Sequence, residues 1–167
     1  MLDDGATHHN YEVMKTLVPL AAVLILSQIG SGLAAASPMV TQYEVKISLS
    51  PKAGAKLQAS GETITIAAYY FGLPKKGHKV RVNPEGEVDL GDEKKIIKGE
   101  GTAQLGGIKI NAKLLKHVEG EEPSLLTSIY TSRTKFPDNL LNCDVFQDKV
   151  SLAAKNPIQI KCKLIGE

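Results

Sequence analysis

Two cysteines are the residues of this chain whose type and spacing point most directly to a chemistry. Cys143 and Cys162 are its only cysteines. In an oxidising compartment such a pair favours a single disulfide bond, and Cys162 falls on the apolar side of an alternating segment. The alternative is two free buried thiols, since unpaired cysteine is itself commonly buried. The spacing matches no metal-binding motif, and a zinc site is not expected.

Basic side chains and a histidine are concentrated in the segment 73–81. They are Lys75, Lys76, His78, Lys79 and Arg81. Turn residues flank them, which predicts a loop whose charges project into solvent. Such a loop could bind an anionic surface or an envelope protein, or it is ordinary solvated surface. No aromatic residue is interleaved to stack on bases, and the formal net charge of the chain is only +2, so no nucleic-acid partner is expected.

No side chain stands in a recognisable catalytic motif. The chain lacks the G-x-S-x-G pattern of serine hydrolases, and a disulfide explains the cysteines better than a nucleophile does. His117, which lies between Lys116 and Val118 and near Glu119, is the better candidate for a general base. We assign no catalytic residue, no metal ligand and no cofactor, and an enzyme is the less favoured class.

Short segments of alternating apolar and polar residues dominate from residue 40 to residue 164. The clearest examples lie near the two ends of this region, at 43–49 and 158–164. Alternation with period two indicates a strand that buries one face. Short strands separated by turns with glycine predict a mainly β fold. We expect an antiparallel β-sandwich, immunoglobulin-like or transthyretin-like, with one or two short helices.

Three local signals refine this expectation. Ser50 and Pro51 supply a cap and a first helical residue, and Gly61 a terminator, which predicts a two-turn helix over 52–59. Segment 62–71 is apolar on both faces and predicts a central strand. Its aromatic cluster, 69–71, is either core, which we favour, or an exposed binding face. Other short strands are expected at 80–82, 86–90, 95–98, 102–105, 108–110 and 124–133. Segment 144–155 fits neither the two-residue period of a strand nor the 3.6-residue period of a helix.

The N-terminal segment has the order of features of a secretory signal peptide. Met14 and Lys15 provide a start and a positive charge, an apolar stretch follows, and the three alanines at 34–36 suit signal peptidase. We predict a start-site extension at 1–13, a signal peptide at 14–36 and a single β-sandwich domain at 37–167. Cleavage near Ala36 would make the protein periplasmic or secreted. An uncleaved anchor or a buried helix are the alternatives, although the richest apolar run is shorter than the ~20 residues of a membrane span.

Two C-terminal stretches carry a resemblance to a known group of proteins. Residues 137–143, PDNLLNC, and residues 160–167, IKCKLIGE, resemble small secreted or periplasmic β-sandwich proteins of Gram-negative bacteria that have no assigned function. The resemblance implies an envelope location for the domain. It transfers no catalytic or binding residue.

These observations favour a non-catalytic extracytoplasmic binding or protein-interaction module, with an envelope protein or an anionic surface as partner. Two alternatives remain, a periplasmic hydrolase-type enzyme and a carrier that holds a small ligand between the sheets. The enzyme requires a concave site with convergent polar groups around His117. The carrier requires a sizeable apolar cavity.

Overall fold

Eight β-strands carry the fold of residues 39–167, the part of the chain that our computed structural model describes. The strands are β1 (Tyr43–Leu49), β2 (Ile64–Gly72), β3 (Val88–Ile97), β4 (Gly101–Leu105), β5 (Ser124–Thr131), β6 (Leu141–Cys143), β7 (Phe146–Lys149) and β8 (Ile158–Leu164). The same residues contain the helices α1 (Pro51–Ser60), α2 (Ala112–Leu115) and α3 (Val150–Ala153) and a 3-10 turn (Glu119–Glu121). The expected start-site extension and signal peptide lie outside the described residues.

The strands form two four-stranded sheets. Their strand orders are β4-β1-β8-β6 and β3-β2-β5-β7. The pairings are antiparallel except that of β1 with β8, which is parallel. Buried side chains from both sheets form one contiguous core. The predicted mainly β sandwich is therefore confirmed, with one parallel pair added and with three short α-helices where one or two were expected.

The alternation in β1 and the apolar faces of β2 explain their places in the sheets. β1 buries Tyr43, Val45 and Ile47 and leaves the residues between them exposed or half-buried. β2 lies between β3 and β5, so it is central, as predicted. Within β2, Tyr70 is fully buried in the core. Tyr69 stacks on Phe71, with ring centroids 5.5 Å apart, on the opposite face of the strand.

Helix α1 begins and ends where the sequence predicts, within one residue. The Ser50 hydroxyl caps it by accepting a hydrogen bond from Ala53 N at 3.1 Å, and Pro51 occupies the first turn. Gly61 ends the helix with a φ of 67°, which glycine adopts without strain. Ala53 and Leu57 are the buried residues of the helix and pack it against the core.

Three local predictions were wrong. Segments 80–82 and 108–110 are irregular, and Lys109 forms only an isolated bridge with Met39. The strands expected at 86–90 and 95–98 are a single strand, β3, that continues through a bulge. Gly91 takes a φ of 132° there, a backbone conformation that favours glycine. Segment 144–155, which the sequence left undecided, holds a strand, β7, followed directly by a helix, α3.

A buried carboxylate ties the loop before β2 to the loop after β5. Glu62 is 1% exposed. Its Oε1 accepts hydrogen bonds from Thr63 N at 2.9 Å, Thr134 N at 3.2 Å and Thr134 Oγ1 at 2.8 Å. Its Oε2 accepts from Lys135 N at 2.6 Å and Phe136 N at 3.2 Å. Burial alone would raise the pKa of Glu62, but these donors outweigh it and lower the pKa from 4.5 to about 2.

The described residues belong to one compact unit. None of the helices within 39–167 has the length and apolar character that a bilayer crossing requires.

Candidate functional site

The predicted basic loop packs along the segment that contains His117. An isolated bridge joins Pro74 to Val118, Lys75 N donates to His117 O at 2.7 Å, and Glu119 N donates to Leu73 O at 2.9 Å. Val118 is fully buried over Gly72, where a Cβ atom would lie 2.2 Å from Val118 Cγ1. Only glycine permits this close approach, so the end of β2 is shaped to receive the segment.

One of the basic residues of the loop is paired, and the others are exposed. Lys75 Nζ forms a salt bridge with Glu121 Oε1 at 2.5 Å, and this contact lowers the pKa of the Glu121 carboxyl. Lys76, His78, Lys79 and Arg81 are exposed. Arg81 lines a separate cavity of about 660 Å³ near α2. The binding of this loop to an anionic surface or a partner therefore stays a prediction, with Lys76, His78, Lys79 and Arg81 accessible to solvent and Lys75 paired with Glu121.

His78 and His117, far apart in sequence, meet where the loop contacts this segment. Their Nδ1 atoms are 3.2 Å apart. The two rings stand edge to face, with centroids 5.3 Å apart and an angle of 77° between their planes. His78 is exposed and His117 is half-buried. Neither histidine lines the cavities found at α1, at Arg81 or at the disulfide, so the concave site that a general base requires is not formed around His117 by these cavities.

An open groove lies between helix α1 and the hairpin turn that joins β3 to β4. We call it the α1 groove. Its volume is about 700 Å³. Leu49, Gly54 and Leu57 line one side, and residues 97–102, which include the apolar Ile97 and the turn glycines, line the other. The α1 groove is therefore a surface cleft with apolar walls and a polar rim.

A backbone edge of β1 is open at the α1 groove. The pairing of β1 with β4 ends at Ile47 and Gly101, so no β4 residue faces Leu49. Alternate residues of a strand direct their backbone groups to the same side. Ser50 N donates to Cys162 O of β8. The backbone N–H and C=O of the preceding residue, Leu49, therefore point away from β8, to the side on which β4 lies. Leu49 N reaches only Glu100 Oε2, at the long distance of 3.4 Å, and an incoming carbonyl could replace this contact.

The predicted disulfide between Cys143 and Cys162 is confirmed. The two residues face each other in the β6–β8 ladder, with Cα atoms 4.0 Å apart. The bond fastens the short edge strand β6 to β8. A cavity of about 410 Å³ beside the disulfide shares Leu49 and Ser50 with the α1 groove, so the disulfide lies close to the groove.

A buried chain of hydrogen bonds crosses between the sheets. Tyr70 Oη donates to Glu93 Oε1, and Tyr43 Oη lies 3.0 Å from Tyr70 Oη. Because the Tyr70 proton points to Glu93, Tyr43 is the donor to Tyr70. Glu93 Oε1 also accepts from Gly106 N at 2.7 Å. Burial raises the pKa of Tyr43 to about 12 and that of Tyr70 further, so both phenols stay protonated and the chain of bonds is structural.

Comparisons with protein-family models, with curated proteins and with solved structures found no match. The arrangement of residues must therefore support any functional conclusion. The α1 groove is the feature that the sequence-based predictions missed. Gly54 was the available signal, because glycine inside a helix is destabilising by roughly 0.5–1 kcal/mol relative to alanine. The glycine therefore indicates a position on α1 where a large side chain would fill part of the groove.

Proposed function

We propose that the chain is a non-catalytic extracytoplasmic protein-interaction module that binds an extended peptide segment of a partner protein in the α1 groove. The observation that carries the proposal is the Leu49 amide at the end of β1, which pairs with no strand and contacts only the Glu100 side chain, beside a cleft of about 700 Å³. The signal-peptide pattern of 14–36 and the disulfide support an envelope location.

An extended peptide suits the groove better than a compact small molecule. Peptides that add to a sheet edge gain affinity from main-chain hydrogen bonds and specificity from pockets for alternate side chains. Leu49 supplies the backbone groups, and Leu57 and Ile97 supply apolar walls. Lys98 and Glu100 at the rim can pair with polar groups of the peptide.

The structure favours a protein-interaction module over a small-ligand carrier and over a hydrolase-type enzyme. The carrier hypothesis needs an apolar cavity between the sheets, but the buried side chains of both sheets pack there into one core. The bond between Tyr43 and Tyr70 spans that space directly. The enzyme hypothesis needs a cleft at His117, whereas the α1 groove is lined by other residues.

Gly54 offers a sharp test of the proposed function. A Cβ added there would make only an ordinary contact, 4.0 Å from Leu49 Cβ, so Gly54→Ala keeps the groove open and serves as the matched control. Gly54→Trp would fill the groove, and Gln58→Trp would do so from a neighbouring position on α1. The probe is a set of peptides selected from a randomised display library on the full chain.

We expect the selected peptides to bind the wild type and Gly54→Ala with equal affinity and to lose binding to both tryptophan variants. Peptide binding should also slow hydrogen exchange of the Leu49 amide, because a backbone hydrogen bond protects it. Unfolding curves check that the variants fold. The proposal is wrong if no peptide is enriched, or if enriched peptides bind both tryptophan variants as well as the wild type.

A further inference from the structure

We propose that His78 and His117 form a two-imidazole site for a late first-row divalent metal ion, with Cu²⁺ bound most tightly. The site is independent of the α1 groove. It rests on the contact between the basic loop and the segment 111–121, which brings together two histidines whose separation in sequence matches no metal-binding motif.

The spacing of the two nitrogens fits a shared metal ion. Two imidazole nitrogens that bind one ion at roughly 2.0–2.1 Å lie about 2.9 Å apart in a square-planar site and about 3.3 Å apart in a tetrahedral site. The Nδ1 atoms of His78 and His117 are 3.2 Å apart. The same contact is an N–H···N hydrogen bond between the two rings, and a metal ion that binds both nitrogens displaces its proton.

The backbone holds both histidines in place without a metal ion. Lys75 N donates to His117 O at 2.7 Å, and His78 N donates to Lys75 O at 3.0 Å. These two bonds connect the histidines through a single residue, Lys75. Binding therefore does not require ordering of a long loop, and the second imidazole is supplied at a high effective concentration.

The chemistry of the ligands and their surroundings selects the ion. Imidazole suits copper, nickel and zinc, and affinity for such sites is greatest for Cu²⁺. Among residues 39–167, no group of three or more histidine, cysteine or acidic side chains is placed to hold a metal ion. Water or a ligand from outside therefore completes the coordination. Lys75 is already paired with Glu121, which reduces its repulsion of a bound cation.

The test uses the full chain with Cu²⁺ and Zn²⁺ as probes. The chain has four histidines, so His8→Ala/His9→Ala is the control for metal bound outside the proposed site. Electron paramagnetic resonance of the Cu²⁺ complex counts the coordinated imidazoles. Nitrogen NMR of the Zn²⁺ complex shows which ring nitrogens bind. Titration of His78→Ala and His117→Ala gives the change in affinity.

We expect two coordinated imidazoles in the Cu²⁺ complex and a shift of both Nδ1 resonances with Zn²⁺. Each single alanine variant should weaken Cu²⁺ binding on the order of 100-fold, because the chelate is lost, while the His8/His9 variant keeps the wild-type affinity. A spectrum with one imidazole overturns the proposal, as does affinity that falls only in the His8/His9 variant. The spectra are therefore recorded on the His8→Ala/His9→Ala variant as well, in which two coordinated imidazoles must come from His78 and His117; these spectra keep the test valid even if His78→Ala or His117→Ala misfolds.

Discussion

Replacement of Glu62 by glutamine should strongly lower the free energy of unfolding of this domain, although the side chain changes at one heavy atom only. The Glu62 carboxylate accepts five hydrogen bonds, from Thr63 N, Thr134 N, Thr134 Oγ1, Lys135 N and Phe136 N. A glutamine can keep its oxygen toward Thr63 and Thr134, but its amide group then faces the two remaining N–H donors. An unsatisfied buried donor costs about 1–3 kcal/mol. We expect a loss of about 2–4 kcal/mol in the free energy of unfolding at pH 7.

The same carboxylate should make stability depend on pH. Its pKa is lowered from 4.5 to about 2 in the folded state. Its stabilising contribution is therefore complete above pH 4.5 and is lost as pH falls toward 2. The shift corresponds to about 3 kcal/mol. We reduce this to about 2 kcal/mol for solvent screening, because Thr134 and Lys135 beside it are exposed.

Urea unfolding of the wild type and of Glu62→Gln between pH 7 and pH 2.5 measures both effects. The stability difference between the two proteins should shrink by about 2 kcal/mol on acidification, since other carboxyl groups contribute equally to both. Glu85→Gln, at an exposed position, is the control and should stay within about 0.5 kcal/mol of the wild type. Parallel pH profiles for the wild type and Glu62→Gln would refute the role that we give to this carboxylate.

Three further changes test other parts of the structure. Reduction of the disulfide should lower the free energy of unfolding by about 3 kcal/mol, measured by urea unfolding with and without reductant; an unchanged midpoint would contradict this. Tyr70→Phe should cost about 2 kcal/mol because it removes two hydrogen bonds, the one to Glu93 and the one from Tyr43, and leaves the buried Tyr43 hydroxyl without this acceptor. Tyr43→Phe should cost about 1 kcal/mol because it removes one bond at the end of the chain. Equal or reversed costs in chemical denaturation would exclude the donor order that we infer. Gly54→Ala should stabilise by about 0.5–1 kcal/mol, and a lower thermal midpoint would show that its Cβ is not accommodated.

Local patterns predicted the elements whose burial follows directly from sequence. The alternation in β1 and β8 identified both strands, because one face of each meets the core. The apolar character of both faces of β2 identified a central strand. Ser50, Pro51 and Gly61 bounded α1 because capping depends on neighbouring residues alone. The number of cysteines, the expected oxidising compartment and the phase of Cys162 were enough to predict the disulfide.

Features that depend on contacts between distant segments escaped the same reasoning. The strand β3 looked like two pieces because its bulge at Gly91 interrupts the alternation, and only pairing with β2 keeps it continuous. No local sequence pattern indicates the parallel pairing of β1 with β8. Likewise, no spacing rule could bring His78 to His117, since the contact depends on how Val118 packs over Gly72.

The two proposed sites lie at opposite ends of one strand, so binding at one should not affect the other. Ile64 at the start of β2 pairs with Ile97, which lines the α1 groove, whereas Gly72 at its end leads into the loop with His78. Nine residues of strand extend over about 26 Å at roughly 3.3 Å each. The charge of a metal ion is screened over about 8 Å at physiological ionic strength. Cu²⁺ should therefore change peptide affinity by less than about twofold, because effects at distant, independent sites usually add within about 0.3–0.5 kcal/mol. A larger effect would require a conformational change of β2 and its neighbours, which would be visible as altered hydrogen exchange along the strand.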